Sequence, residues 1–117
     1  MRDTGCRRMD ARALQGRAWV FPTIEAARVA YQVALHRGDV LCAQHDYTLV
    51  VDMVGSQAVL TFLWGPHVDQ RLMAIADTVA LLTGGNPCEK TREEELVQLV
   101  RLWLQECDEP DQATGGG

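Results

Sequence analysis

Apolar and polar residues alternate most strictly in the middle of the chain. Tyr47, Leu49, Val51 and Met53 are interleaved with Thr48, Val50 and Asp52. A period of two with one apolar face predicts a strand packed on one side. Gly55 and Ser56 follow, with glycine first, as a tight two-residue hairpin turn prefers. The pattern then resumes over residues 57–64, with Ala58, Leu60, Phe62 and Trp64 on one face. These two segments form an antiparallel hairpin. Upstream, residues 12–21 read as another strand, with Leu14, Ala18 and Val20 on one side and Trp19 and Phe21 on the other. Gly16 in its middle suggests a bulge or bend.

Elsewhere the spacing changes to three or four. After Pro22, Thr23 is a good N-cap, and Ile24, Ala27, Tyr31, Ala34 and Leu35 fall on one face of a helix over residues 24–37. Gly38 is expected to end it. A second helix is expected to open at Pro66, with a stripe of Val68, Leu72, Ile75, Val79 and Leu82, and to stop at Gly84 and Gly85. A third opens at Thr91, with Glu94 three residues on as a capping box and Glu93, Glu94 and Glu95 at the positive end of its dipole. Its apolar face is Leu96, Leu99, Val100, Trp103 and Cys107.

The order β-α-β-β-α-α predicts an α+β fold, an antiparallel sheet with helices packed on one face. The chain of 117 residues is long enough for one domain. The reading assigns residues 1–11 to a flexible N-terminal arm, 12–107 to the domain and 108–117 to a flexible glycine-rich tail. Open strand edges on so small a domain favour a homodimer.

Composition narrows the classes. A hydrophobic fraction of 47% suits a folded chain. No apolar run approaches a membrane span, and the first ten residues have no apolar core, so neither a membrane role nor a secretion signal is expected. The four cysteines (Cys6, Cys42, Cys88 and Cys107) make no Cys-x-x-Cys pair, so they are taken as reduced and not as a zinc site. A cytoplasmic location is the default expectation. A net charge of −5 argues against nucleic acid as a partner. The basic residues near the start, Arg7, Arg8, Arg12 and Arg17, are candidate contacts for an acidic patch on a protein partner, as is Trp103 by residue type. For Trp103, packing against the sheet is the simpler role.

Catalytic candidates are few. His36 lies late in a helix, where a cation suits the dipole. His45 precedes the hairpin and His67 follows it, so the two are expected near one pocket beside Trp64. No spacing motif supports a metal, and neither a phosphate-binding loop nor a nucleophile elbow is present.

One resemblance extends over residues 12–83. The run Phe21, Pro22, Thr23, Ile24, Glu25 and Ala26, with Val33 and Ala34 beyond, resembles the strand-to-helix junction of the pterin-4a-carbinolamine dehydratases. The hairpin and the segment from Val68 through Asp69 and Leu72 to Asp77 are similar to that family's central strands and next helix. The resemblance implies its fold, with the helix after Thr91 as an addition. Active members carry adjacent His-His-Pro after the first helix, for acid–base removal of water. Here that stretch reads Leu41, Cys42, Ala43, Gln44, His45 and Asp46, with one imidazole and no proline.

His45, His67 and Trp64 therefore read as remnants of a pocket, with no catalytic residue assigned, no cofactor and no metal. The chain is similar to the degenerate branch associated with carboxysomes, whose members are understood as RuBisCO assembly factors. The resemblance implies a non-catalytic chaperone of carbon fixation, a homodimer with the RuBisCO large subunit as client and with carboxysome association within the cytoplasm. The alternatives are a residual dehydratase and a dimerisation cofactor for a transcription factor.

Overall fold

The computed structural model describes residues 3–5, 15–40, 47–66, 68 and 70–116, with side chains for 15–37, 47–66, 68 and 70–104. Strand β1 (Asp3–Gly5) is followed by β2 (Gln15–Phe21), helix α1 (Ile24–Val40), β3 (Tyr47–Val54), β4 (Gln57–Trp64), α2 (Gln70–Leu82), β5 (Asn86–Pro87) and α3 (Lys90–Gly116). All pairings are antiparallel, in the order β1-β3-β4-β2-β5. The chain is an α+β fold, as the periodicities predict.

The hairpin forms in the expected register, from Tyr47 opposite Trp64 to Val54 opposite Gln57. Gly55 turns it with φ +62°, a left-handed conformation in which glycine has no Cβ penalty. Thr23 caps α1, its hydroxyl accepting from the Ala26 N–H at 3.1 Å. Such a cap contributes about 1 kcal/mol. At the end of α2, Gly84 donates to the Leu81 carbonyl and Gly85 to that of Ala80, the two bonds of a Schellman motif. Gly84 takes φ +92° there.

Two layers of helix cover the sheet, one on each face. Trp19, Phe21, Tyr47, Leu49, Val51, Leu60 and Phe62 point to one side, where Ala27, Ala30 and Ala34 of α1 and Leu72, Ala76 and Ala80 of α2 meet them. Ala18, Val50, Val59 and Leu63 point to the other side, where Leu96, Val97, Val100 and Leu104 of α3 cover them. The expectation of helices on one face thus holds for α1 and α2 but not for α3. The hairpin is accordingly buried on both sides: Thr48 and Val50 are as inaccessible as Tyr47 and Leu49.

Local differences follow from these contacts. Gly16 makes no bulge, because β2 pairs with β4 without interruption from Gln15 opposite Trp64 to Phe21 opposite Ala58. Its reason is steric: a Cβ there would come within 2.5 Å of Leu63 and 2.9 Å of Val97. Helix α1 does not stop at Gly38 but runs to Val40. Helix α2 begins at Gln70, not at Pro66, after a turn closed by the Val68 N–H and the Gly65 carbonyl. Its buried stripe is Leu72, Ala76 and Ala80, while Leu82 is 81% exposed. Helix α3 starts at Lys90, so Thr91 lies inside the first turn and not at the cap.

The ends differ as well. Asp3–Gly5, expected in a free arm, pairs with β3 as β1. Residues 108–116, expected in a tail, continue α3. Among the described residues, no helix is long and apolar enough to cross a membrane.

Candidate functional site

Two concave surfaces bear on function, and both involve the start of β2. The first is a cleft of about 460 Å³ lined by Gln15, Trp64, Gly65, Pro66, Val68 and Gln70. Trp64 enters it from the end of β4, half-buried, with its ring 5.4 Å from that of Phe62 and tilted by 36°. Phe62 in turn meets Tyr47 edge-on at 5.9 Å. Trp64 is thus the outermost ring of an aromatic row and presents a flat apolar wall. His67 and His45 lie outside the described residues, so their distance from this wall is not a feature of the described fold.

The second surface is larger, about 850 Å³, between α3 and the start of β2. Gln15 and Gly16 form one side; Glu94, Glu95, Gln98, Leu99, Arg101 and Leu102 are among the α3 residues on the other. Helix α3 sits close to the sheet here because Gly16 has no side chain. Glu93 reaches across the top of the groove and accepts the Ala18 N–H at 3.1 Å. That bond ties the helix to the strand edge and neutralises a donor that β5 does not reach, since β5 pairs only with Trp19 and Val20. A capped edge donor also discourages unwanted strand pairing.

Electrostatics along the groove are uneven. Arg92 bonds the Gln57 side chain at 3.2 Å and pairs with Glu95 at 3.5 Å, both at the surface. At the opposite end, the buried Nε of Arg101 has no hydrogen-bond partner. Cys88, beside the first turn of α3, is half-buried. Burial pushes its thiol pKa up, and the Glu93 carboxylate adds to the shift while Arg92 opposes it. Among the described residues, no three His, Cys, Asp or Glu side chains are grouped to hold a metal.

No family model matches the chain, and no curated protein or solved structure does either. Of the expected partner-binding residues, Arg17 is exposed on β2, while Arg7, Arg8 and Arg12 lie outside the described residues. Trp103 is half-buried and packs on Val50, Leu63, Val97, Val100 and Leu104. It takes the packing role against the sheet. His36 is exposed on α1, a full turn before the helix ends.

Sequence reasoning missed Glu93, Leu102 and Arg101. The buried stripe of α3 is Leu96, Val97, Val100 and Leu104, with Leu99 half-buried on its flank and Leu102 exposed. One signal was present. Leu96, Val97, Leu99, Val100, Leu102, Trp103 and Leu104 are too many apolar residues for one face of a helix. The surplus marks a second apolar flank.

Proposed function

We propose that the protein is a non-catalytic assembly factor that works by holding a protein client. The observation that supports this is the placement of exposed apolar side chains on both helical layers. Val29, Val33, Leu81 and Leu82 stand on the α1/α2 side, and Leu102 stands on α3. Apolar residues grouped on an outer surface are suited to protein contact. The larger groove along α3 is better shaped for a chain segment than for enclosing a small molecule.

The client's identity rests on the resemblance to the carboxysome-associated branch. By that reading the client is the RuBisCO large subunit, and the protein works in the cytoplasm beside carboxysomes, without a cofactor. A homodimer would present each contact surface twice, so that two client copies are bridged before they pair. Co-expression with the large subunit, followed by native electrophoresis, tests it. A co-migrating complex that is lost in the Leu82→Glu variant is expected. Absence of any complex at micromolar concentrations of both proteins overturns the RuBisCO assignment.

The cleft beside Trp64 favours a second reading, a residual pterin dehydratase. An aromatic wall suits a flat heterocycle, and the lining residues Pro66 and Val68 flank His67 in sequence. A single imidazole could supply general acid–base assistance of about 10²-fold. Dehydration of a pterin carbinolamine above the buffer rate, abolished by His67→Ala or His45→Ala, would replace the first reading with this one.

A further inference from the structure

We propose that the groove between α3 and the start of β2 docks an extended peptide of a partner protein. Its side chains facing α3 would be basic first and acidic last, from N- to C-terminus. The proposal holds whatever the client is, and failure of the RuBisCO assignment leaves it standing.

The backbone of β2 sets the mode. The Ala18 N–H bonds Glu93 on α3, so it points away from β4. In an antiparallel ladder, groups two residues apart face the same way. The N–H and C=O of Gly16 therefore point to that same side. Among the described residues no strand pairs with Gly16 there, because β5 meets only Trp19 and Val20. Glu93 and β5 close one end of this edge, and Ala18 is buried. Among the described residues nothing closes the end around Gly16, which borders the groove. An incoming strand running antiparallel to β2 exchanges two hydrogen bonds with Gly16, the start of a strand addition.

The direction of α3 then sets the order of the peptide's side chains. Glu93 lies beside Ala18, and Val97 lies beside Gly16. Helix α3 therefore runs opposite to β2, and a strand antiparallel to β2 runs along α3. Its first part meets Glu94, its middle meets Gln98, and its last part meets Arg101 and Leu102, positions three and four apart that share one side of α3. Glu95 already pairs with Arg92 at the surface, which leaves Glu94 as the main counter-charge for a basic side chain. The Arg101 guanidinium, whose Nε has no hydrogen-bond partner, meets the acidic one. From Glu94 to Leu102 the helix rises about 12 Å, a length that about four extended steps cover. Side chains facing one way recur at every second residue, so positions one, three and five of a five-residue stretch span the groove.

A heptapeptide with blocked ends tests this against the full-length protein. It carries lysine, leucine and glutamate at positions two, four and six, with threonine elsewhere. The control has glutamate, leucine and lysine at the same positions, so composition and net charge are equal. In nuclear magnetic resonance titrations the first peptide is expected to shift the amides of Gly16, Gln98 and Leu102 and to slow hydrogen exchange at Gly16. It binds about tenfold or more tightly than the control. Leu102→Glu, at an exposed position that leaves the circular dichroism spectrum unchanged, weakens binding by about tenfold or more. Glu94→Lys weakens it too, and a peptide with glutamate in place of lysine recovers the loss.

Three results overturn the proposal. The first is no amide shift at millimolar peptide. The second is equal affinity for the two orders, or shifts confined to α1 and α2. The third is self-association in sedimentation that Leu102→Glu abolishes, which would make the groove an interface between copies of this chain.

Discussion

The two faces of the sheet are packed on different plans. On the α1/α2 side, the sheet supplies the bulk: Trp19, Phe21, Tyr47 and Phe62 stand on strands, and the helices answer with alanines. Small residues on the helices let them settle close over large rings, and two helices are enough to cover the face. On the α3 side, the sheet supplies Ala18, Val50, Val59 and Leu63, with no aromatic, and a single helix brings the larger side chains. The groove lies where α3 meets the start of β2 at Gln15 and Gly16, and beneath α3 the Thr61 hydroxyl is buried with no partner. The gap lined by Thr61, Val100 and Trp103 leaves no room for a water molecule. The first face packs aromatic bulk under two helices, and the second packs aliphatic residues under one.

The largest expected effect is on the aromatic face. Trp19→Ala removes a ring that is 2% exposed and whose indole N–H donates to Asp77 at 3.3 Å. It should cost about 3–5 kcal/mol in urea unfolding. If Val100→Ala, on the other face, costs as much as the tryptophan change and not about 2 kcal/mol, the contrast between faces is mistaken.

Gly16→Ala comes next. Its Cβ would press on Leu63 and Val97, so a loss of about 1–3 kcal/mol is expected. Adding Val97→Ala should return part of that loss, as a double-mutant cycle would show. A purely additive cycle would mean that α3 does not approach the sheet closely at this point.

Thr61→Val probes the looser face from the opposite direction. It keeps the shape and removes an unpartnered buried hydroxyl, so unfolding should be unchanged or stabilised by about 1 kcal/mol. A clear loss of stability would show that the hydroxyl has a partner after all.

The smallest effect concerns Cys88. With the other three cysteines replaced by serine, its alkylation rate should rise with pH at a midpoint above that of an ordinary thiol, because burial and Glu93 disfavour the thiolate. By linkage, the thiol's contribution to stability is intact below the ordinary thiol pKa and is lost as pH climbs through the raised one. Glu93→Gln should lower the midpoint. An unchanged profile in that variant would leave burial as the sole cause.

The hairpin was the most legible part of the fold, because strict alternation and a glycine-first turn report short-range geometry that no distant contact overrides. Helices α1, α2 and α3 were legible as helices for the same reason, and Thr23 and Gly84 marked two of their ends correctly. Periodicity does not say which side of a sheet a helix takes, so the place of α3 was not legible. Gly16 read as a bulge because its true cause, the approach of Val97, lies 81 positions further along the chain. Glu93 read as a charge at a helix dipole, while its main partner is the backbone of Ala18. Strand β5 has two residues, one of them proline, and carries no pattern at all. Of the candidate site, Trp64 and Trp103 were found as residues, but Trp103 serves packing and the α3 groove went unread.

The Schellman turn after α2 has a wider consequence. At Gly85 a Cβ would sit 2.7 Å from the Phe21 ring and 2.8 Å from the Ala80 carbonyl, so the backbone there is wedged against the aromatic layer. From that wedge the chain rounds the sheet's rim through β5 and reaches α3 on the far side. The two halves of the sandwich are therefore joined by one tight corner, and the bearing at which α3 is launched across the strands is set by how firmly that corner seats.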